Sequence, residues 1–161
     1  KTSAAGKERG KTRSPFTQPF FPRAHGLQAK RFSQLAATMP HTDLWLMNTG
    51  YVGGSQKEVD AGEALKIKIR HSSAMLEALI RNEIQWKKDP DFGYQIVDVD
   101  NPANAKLCEK VPREILNPQL FFKAKKWETL YAGWVKKMKE ERKAFLEKFG
   151  VDPKIVTAVM N

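Results

Sequence analysis

The chain has 161 residues, enough for one ordinary domain or a smaller one with long extensions. A hydrophobic share of 41%, with four Trp, nine Phe and three Tyr, predicts a folded core and excludes a wholly disordered chain. One cysteine, Cys108, excludes an intrachain disulfide, three scattered histidines (His25, His41, His71) offer no structural-zinc spacing, and no apolar run reaches the ~20 residues of a membrane-spanning helix.

The charge of +10, from 28 Lys+Arg against 18 Asp+Glu, is unevenly placed. Lys1, Lys7, Arg9, Lys11, Arg13, Arg23, Lys30 and Arg31 stand against Glu8 alone, so residues 1–31 carry +7. Residues 1–26 mix Gly, Pro and cations, with apolar side chains only near Phe16 and Phe20-Phe21. Such a segment is expected to be an extended basic arm lying on nucleic acid or an anionic lipid surface; the plainer alternative is a solvated tail. The first residue is Lys rather than Met, which reads as a start from which something upstream was removed or is absent. The acid-poor, Arg- and Ser-containing opening also has the composition of a mitochondrial targeting segment.

Along the chain, Phe32, Leu35 and Ala36 predict a short helix over 30–39. Leu44 to Met47 reads as a buried strand entering the turn Asn48-Thr49-Gly50. Gly53 to Glu63 reads as a loop. Residues 65–70 alternate strictly, which predicts a strand with Leu65, Ile67 and Ile69 on the core side and Lys66, Lys68 and Arg70 as an outward basic strip. Ser72 or Ser73 can then cap a helix with Met75, Leu76, Leu79 and Ile80 inward. Asp89-Pro90-Asp91-Phe92-Gly93 is a break. Tyr94 to Val99 is a further strand, and residues 111–118 form a Pro-bounded connector. A long helix follows over 123–149, with an apolar stripe from Trp127 through Tyr131, Trp134 and Met138 to Phe149. Gly150 stops it, and Asp152-Pro153 opens a last short helix. The class is α+β, divided into the arm (1–26), an α+β domain (27–149) and a short C-terminal helix or tail (150–161).

Generic chemistry is sparse. There is no phosphate-cradling GxxxxGK[ST] and no HExxH. Asp98 and Asp100 point the same way on a strand, but too few oxygen ligands accompany them to hold a divalent ion, so they read as solvent-facing carboxylates. His71-Ser72-Ser73 is sequence adjacency, not triad geometry. The aromatic stripe at helical spacing reads as core or partner surface rather than a base-stacking platform, and the lysines around Lys136–Lys143 as a solvated face.

In order, however, the residues resemble one family. Residues 5–10 (AGKERG) resemble the AGTERG stretch of ATP-dependent phosphoenolpyruvate carboxykinases, and 19–22 (PFFP) the PFLP that follows there. Residues 45–51 (WLMNTGY) with Gly53-Gly54 are similar to WLINTGY or LVNTGWTGG. Residues 65–74 sit where the family has a GKRISIKDTRA-type strand and cap, and 111–118 (VPREILNP) resemble VPTEILNP, with Trp127 where a Trp is common. The resemblance covers roughly residues 4–149. It implies the C-terminal, nucleotide-side portion of that fold, a mixed sheet with packed helices.

The resemblance also implies that the family's P-loop, metal ligands and oxaloacetate-holding arginines lie upstream of the AGTERG stretch. On that basis no catalytic residue, metal or cofactor is expected here, and the chain is expected to be a non-enzyme. The Arg and Thr that touch nucleotide in the family correspond to Lys66 and Ser72, a vestigial nucleotide site. Lys lacks the planar fork of Arg, Ala64-Leu65 replace a Gly-Lys, the arm between the first two motifs is shorter, and Pro15 stands where the family has cysteine. The reading that follows is a structural subunit of a large mitochondrial-matrix assembly, first of all a ribosomal protein whose arm residues, Lys1 to Arg31 as named above, thread along rRNA. Neighbouring subunits would then cover its exposed apolar surface. The alternatives are an accessory subunit of a respiratory complex or ATP synthase, and the nucleotide-side fragment of a split carboxykinase.

Overall fold

The computed structural model describes residues 24–160, so the arm cations Lys1, Lys7, Arg9, Lys11, Arg13 and Arg23 lie outside the described residues. The chain divides into two compact units, Leu44–Lys137 and the combination of Lys1–Asp43 with Met138–Asn161.

In the unit formed by the two chain ends, α1 (His25–Ala37) starts five residues before the predicted 30–39 helix. Gly26 allows that start, because a Cβ there would sit 2.4 Å from the Gly150 carbonyl oxygen. The His25 ring packs edge-on against Phe149, centroids 4.7 Å apart. Phe32 and Leu35, expected inward, are exposed.

The central unit carries β1 (Tyr51–Val52), α2 (Gln56–Asp60), β2 (Leu65–Lys66), α3 (Ile69–Ile80), β3 (Trp86–Lys88), β4 (Gln95–Val97), a 3₁₀ turn (Pro102–Asn104), α4 (Ala105–Lys110), α5 (Arg113–Leu116) and α6 (Pro118–Ala124). Then come α7 (Glu128–Lys148), whose residues fall in both units, and α8 (Pro153–Met160), which opens at the predicted Pro with Lys154 N–H donating to the Asp152 carboxylate at 2.9 Å. The α+β class stands, but the mixed sheet does not. Among the described residues the strands form two separate antiparallel ribbons, β1 on β2 (Tyr51 opposite Lys66) and β3 on β4 (Trp86 opposite Val97). Gly53 at φ +88° ends β1, and β2 stops because the chain turns helical at Ile69.

Three further expectations are corrected. Among the described residues, 44–47 pair with no strand, and all four are exposed; Trp45 stacks on Trp86 at 4.4 Å. Ile69, expected on the core side, is 87% exposed because the alternation ends with the helix start. The long helix expected over 123–149 is α7, which begins five residues late, at Glu128, because α6 ends at Ala124 and Lys126 between them adopts φ +57°. No residue of α7 is buried, and Leu130, Trp134 and Met138 of its apolar stripe are exposed.

Two apolar clusters hold the central unit together. Ala78, Ile84, Val97, Val99, Leu107, Val111 and Leu116 form the larger, and Val52, Ile67 and Phe121 the smaller, with Ile115 packing on both. Burying a side chain such as Val111 or Phe121 contributes about 1.5–3 kcal/mol each. The supposed connector at 111–118 is therefore core: its prolines bound α5 and open α6 rather than carrying a surface loop.

Candidate functional site

The smaller cluster underlies a corner made by the turn at 48–54, β2 and the start of α3. The Asn48 side chain shapes the turn: its Nδ2 donates to the Tyr51 carbonyl (3.0 Å) and its Oδ1 accepts from Gly50 N–H (2.9 Å). Ile67 N–H donates to the Gly50 carbonyl at 2.9 Å, which fixes β2 beside it. Gly53 is required twice, by its positive φ and because a Cβ would lie 2.2 Å from the Phe121 ring. Ser55 then caps α2. The Glu58 carboxylate accepts from the Ser55 hydroxyl (2.5 Å) and the Ser55 N–H (2.7 Å), and these bonds, the hydroxyl first, hold its pKa below the usual carboxylate range.

Lys66 leaves β2 with its Nζ donating to Gln56 Oε1 (3.3 Å), an oxygen that also accepts from Tyr51 OH (3.2 Å). Lys68 and Arg70 follow, both exposed. The predicted Ser cap is corrected here. Lys68 is the N-cap of α3, and its N–H donates to His71 Nδ1 at 3.2 Å. An imidazole three residues on does the work assigned to Ser72 or Ser73, which places Ser72 in the helix itself, half-buried.

His71 is 4% exposed. A neutral imidazole carries one proton, and with Nδ1 accepting, that proton is on Nε2. The approach of Arg70 Nε to Nε2 at 3.4 Å is then a contact between two N–H groups and not a hydrogen bond. Burial, then the charges of Arg70 and Lys68, push the His71 pKa down, which keeps the ring neutral and the cap intact.

Electrostatically the corner is open. Among the described residues Lys66, Lys68 and Arg70 make no ion pair, and the first turn of α3 holds no acid. Three cations within five residues at a helix N-terminus, with the Ser72 hydroxyl close behind in sequence, suit a polyphosphate anion. Lys66 and Ser72, paired by the resemblance, thus fall on one corner. Lys30 and Arg31 are exposed on α1, which belongs to the other unit.

The Asp98/Asp100 pair has a different use. Lys87 Nζ binds Asp98 at 3.1 Å and Asp100 at 3.2 Å, and Arg113 also pairs with Asp100. Partial burial opposes the Lys87 charge, but its hydrogen bonds to Asp98 and Asp100 outweigh that and raise its pKa; the hydrogen bond from Lys87 lowers that of Asp100. Among the described residues no group of three or more His, Cys, Asp or Glu could hold a metal. Cys108 lines a shallow depression with Asp100 and Arg113, and burial pushes its thiol pKa up, away from nucleophilic use.

The sequence reading missed one polar network. The buried Asp89 carboxylate accepts from Asp91 N–H (2.9 Å) and Phe92 N–H (2.8 Å), while Asp91 Oδ2 accepts from Gln119 Nε2 and Tyr131 OH, both at 2.9 Å. Burial, reinforced by the Asp91 carboxylate, pushes Tyr131 well above an ordinary phenol. The Asp-Pro-Asp turn was the available signal, and its distant partners Gln119 and Tyr131 were not.

The corner lies wholly within the part of the chain matched by a family model, that of phosphoenolpyruvate carboxykinase, over residues 2–104. The chain belongs to the ATP-dependent phosphoenolpyruvate carboxykinase family. It is 32% identical over 122 residues to phosphoenolpyruvate carboxykinase (ATP) of Rhodopseudomonas palustris, covering 71% of this chain and 20% of that protein. It is 30% identical over 124 residues to phosphoenolpyruvate carboxykinase (ATP) 1 of Moorella thermoacetica, covering 71% and 21%. A Cereibacter sphaeroides relative of the same name is 29% identical over 117 residues, covering 67% and 21%. The chain thus spans about a fifth of the length of the curated relatives it matches. This corrects the expectation of a non-enzyme: the family and the relatives are enzymes by name. Neither the family nor these relatives bears on a ribosome or a respiratory complex. Among the described residues no helix is long and apolar enough to cross a membrane.

Proposed function

We propose that this chain is the nucleotide-facing segment of an ATP-dependent phosphoenolpyruvate carboxykinase. The observation that carries the reading is the run of uncompensated cations Lys66, Lys68 and Arg70 leading from β2 into the first turn of α3, with Lys66 and Ser72 the two positions that the family resemblance matches to nucleotide contacts. Among the described residues the Lys66 ammonium donates only to a neutral amide oxygen, so no carboxylate there competes with a phosphate for it. The α3 N-terminus adds its positive end, and Ser72 a hydroxyl donor. Phosphoryl transfer also needs a phosphate cradle and a metal ion, whose charge-neutralising work falls to parts of the family architecture outside these residues.

The test is ATP binding followed by thermal shift, on the chain and on any complex it forms. ATP raises the melting temperature. Lys66→Ala weakens binding about tenfold, the effect of losing one charge-assisted hydrogen bond, and Lys66→Arg strengthens it by restoring a planar fork. Equal ATP response in all three proteins, or none in any, overturns the proposal.

A further inference from the structure

We infer that Gln56 is a positioning residue for the nucleotide corner: its side-chain amide holds the Lys66 ammonium in place through a neutral oxygen. This rests on the reading of the corner as a nucleotide site. Tyr51 and Lys66 stand directly opposite each other across the β1–β2 ribbon. Gln56, the first residue of α2, bridges that pair. Its Oε1 accepts from Tyr51 OH at 3.2 Å and from Lys66 Nζ at 3.3 Å, while its Nε2 donates to Asp60 Oδ1 at 2.7 Å, one helical turn on. The neighbours fix which end of the amide points where. Turned over, it would set an NH2 against an ammonium and an oxygen against a carboxylate.

The helix that carries Gln56 is pinned at both ends. Ser55 and Glu58 form the capping box at its start. Past its end, the N–H groups of Glu63 and Ala64 both donate to the Glu58 carbonyl, at 2.7 and 3.1 Å, and Ala64, next to Leu65 of β2, is buried. Gln56 is itself half-buried, so its oxygen is a fixed point for the flexible, exposed Lys66 side chain. The kind of acceptor matters as much as its place. A carboxylate there would pair with Lys66 and compete with phosphate for its charge. The amide orders the ammonium without neutralising it and leaves its other N–H groups for phosphate oxygens. Asp60, bonded to the far end of the amide, polarises it toward Lys66.

The test is ATP affinity followed by thermal shift, on the chain and on any complex it forms, with the melting temperature without ATP as the check on folding. Gln56→Met keeps the length and removes the acceptor. It should weaken ATP binding about fivefold, within the cost of ordering one long side chain. In a Lys66→Ala background the same change should have no further effect, because Gln56 acts through Lys66. Gln56→Glu restores an oxygen but charges it, so it should bind ATP more weakly than Gln56→Met does. Equal binding by wild-type and Gln56→Met protein, an undiminished Gln56→Met effect in the Lys66→Ala background, or wild-type affinity in Gln56→Glu protein overturns the inference and leaves the nucleotide site standing. No ATP response from wild-type protein overturns both.

Discussion

Two charged regions of the central unit treat their cations in opposite ways. Around β3, β4 and α4 the charges are paired: Lys87 with Asp98 and Asp100, Arg113 with Asp100, and Arg81 and Lys110 with Glu77. Asn104 at their centre is 1% exposed and bonded through both ends of its amide. At the β2–α3 corner Lys66, Lys68 and Arg70 have no carboxylate partner among the described residues. Paired charge is scaffold here. Unpaired charge of one sign, gathered at a helix start, marks the face left for a ligand.

The sharpest way to break the scaffold side is Asn104→Ala. Asn104 Oδ1 accepts from Gln85 N–H (3.0 Å), and Nδ2 donates to the carbonyls of Gln85 and Asp98 (both 2.8 Å). Alanine strands three backbone groups in a tight site, for a loss of about 3–5 kcal/mol. Calorimetry should show a melting temperature roughly 10 °C lower. A change within 2 °C, about 1 kcal/mol or less, would remove Asn104 from the scaffold. The corner makes no direct use of Asn104, so folded N104A protein should still respond to ATP.

Next in size is Gly53→Ala, which tests how the corner rests on the smaller apolar cluster. An L-residue at φ +88° and a methyl pressed into the Phe121 ring together cost about 2–4 kcal/mol. Gly53→Ala combined with Phe121→Leu should recover part of that loss in a denaturant titration. Strict additivity of the two changes would show that contact with Phe121 is not the reason for glycine.

Legibility followed locality. The α+β class, the last helix at Pro153, the stop at Gly150 and the strand within residues 94–99 were readable because short-range rules decide them. The sheet was not, since pairing of β1 with β2 and of β3 with β4 depends on contacts across loops. Residues 44–47 illustrate the limit: an apolar run reads as buried strand, yet among the described residues no strand pairs with these. At the corner, Lys66 and Ser72 were reached by resemblance, but the cap was misassigned. Serine is the usual side-chain acceptor at a helix start, and nothing local announces that a buried imidazole will take its place. Ser55-Gln56-Lys57-Glu58 carries a readable capping box for α2 within the stretch 53–63 expected as a loop. The arm cations fall outside the described residues.

The smallest expected effect concerns pH, and it separates the two regions most finely. His71 has a folded pKa below its ordinary 6.5, because burial and the charges of Arg70 and Lys68 disfavour the imidazolium. The unfolded chain therefore takes up the proton first as pH falls. The stability His71 contributes is fully present above about 6.5 and is lost as pH drops through that value toward the lower folded pKa. Protonation also removes the Nδ1 acceptor that Lys68 N–H needs, so the start of α3 loosens with it. Asp100, whose folded pKa is likewise lowered, loses its contribution only below the ordinary carboxylate value of 3.8, so the scaffold side does not respond in the same window. His71→Gln keeps an acceptor that does not titrate. Between pH 7 and pH 5 the wild-type melting temperature should fall relative to the H71Q protein, with the extra hydrogen exchange confined to the first turn of α3. Parallel pH curves for the two proteins would mean that the imidazole does not hold the cap, and the corner would need another account of how its three cations stay gathered.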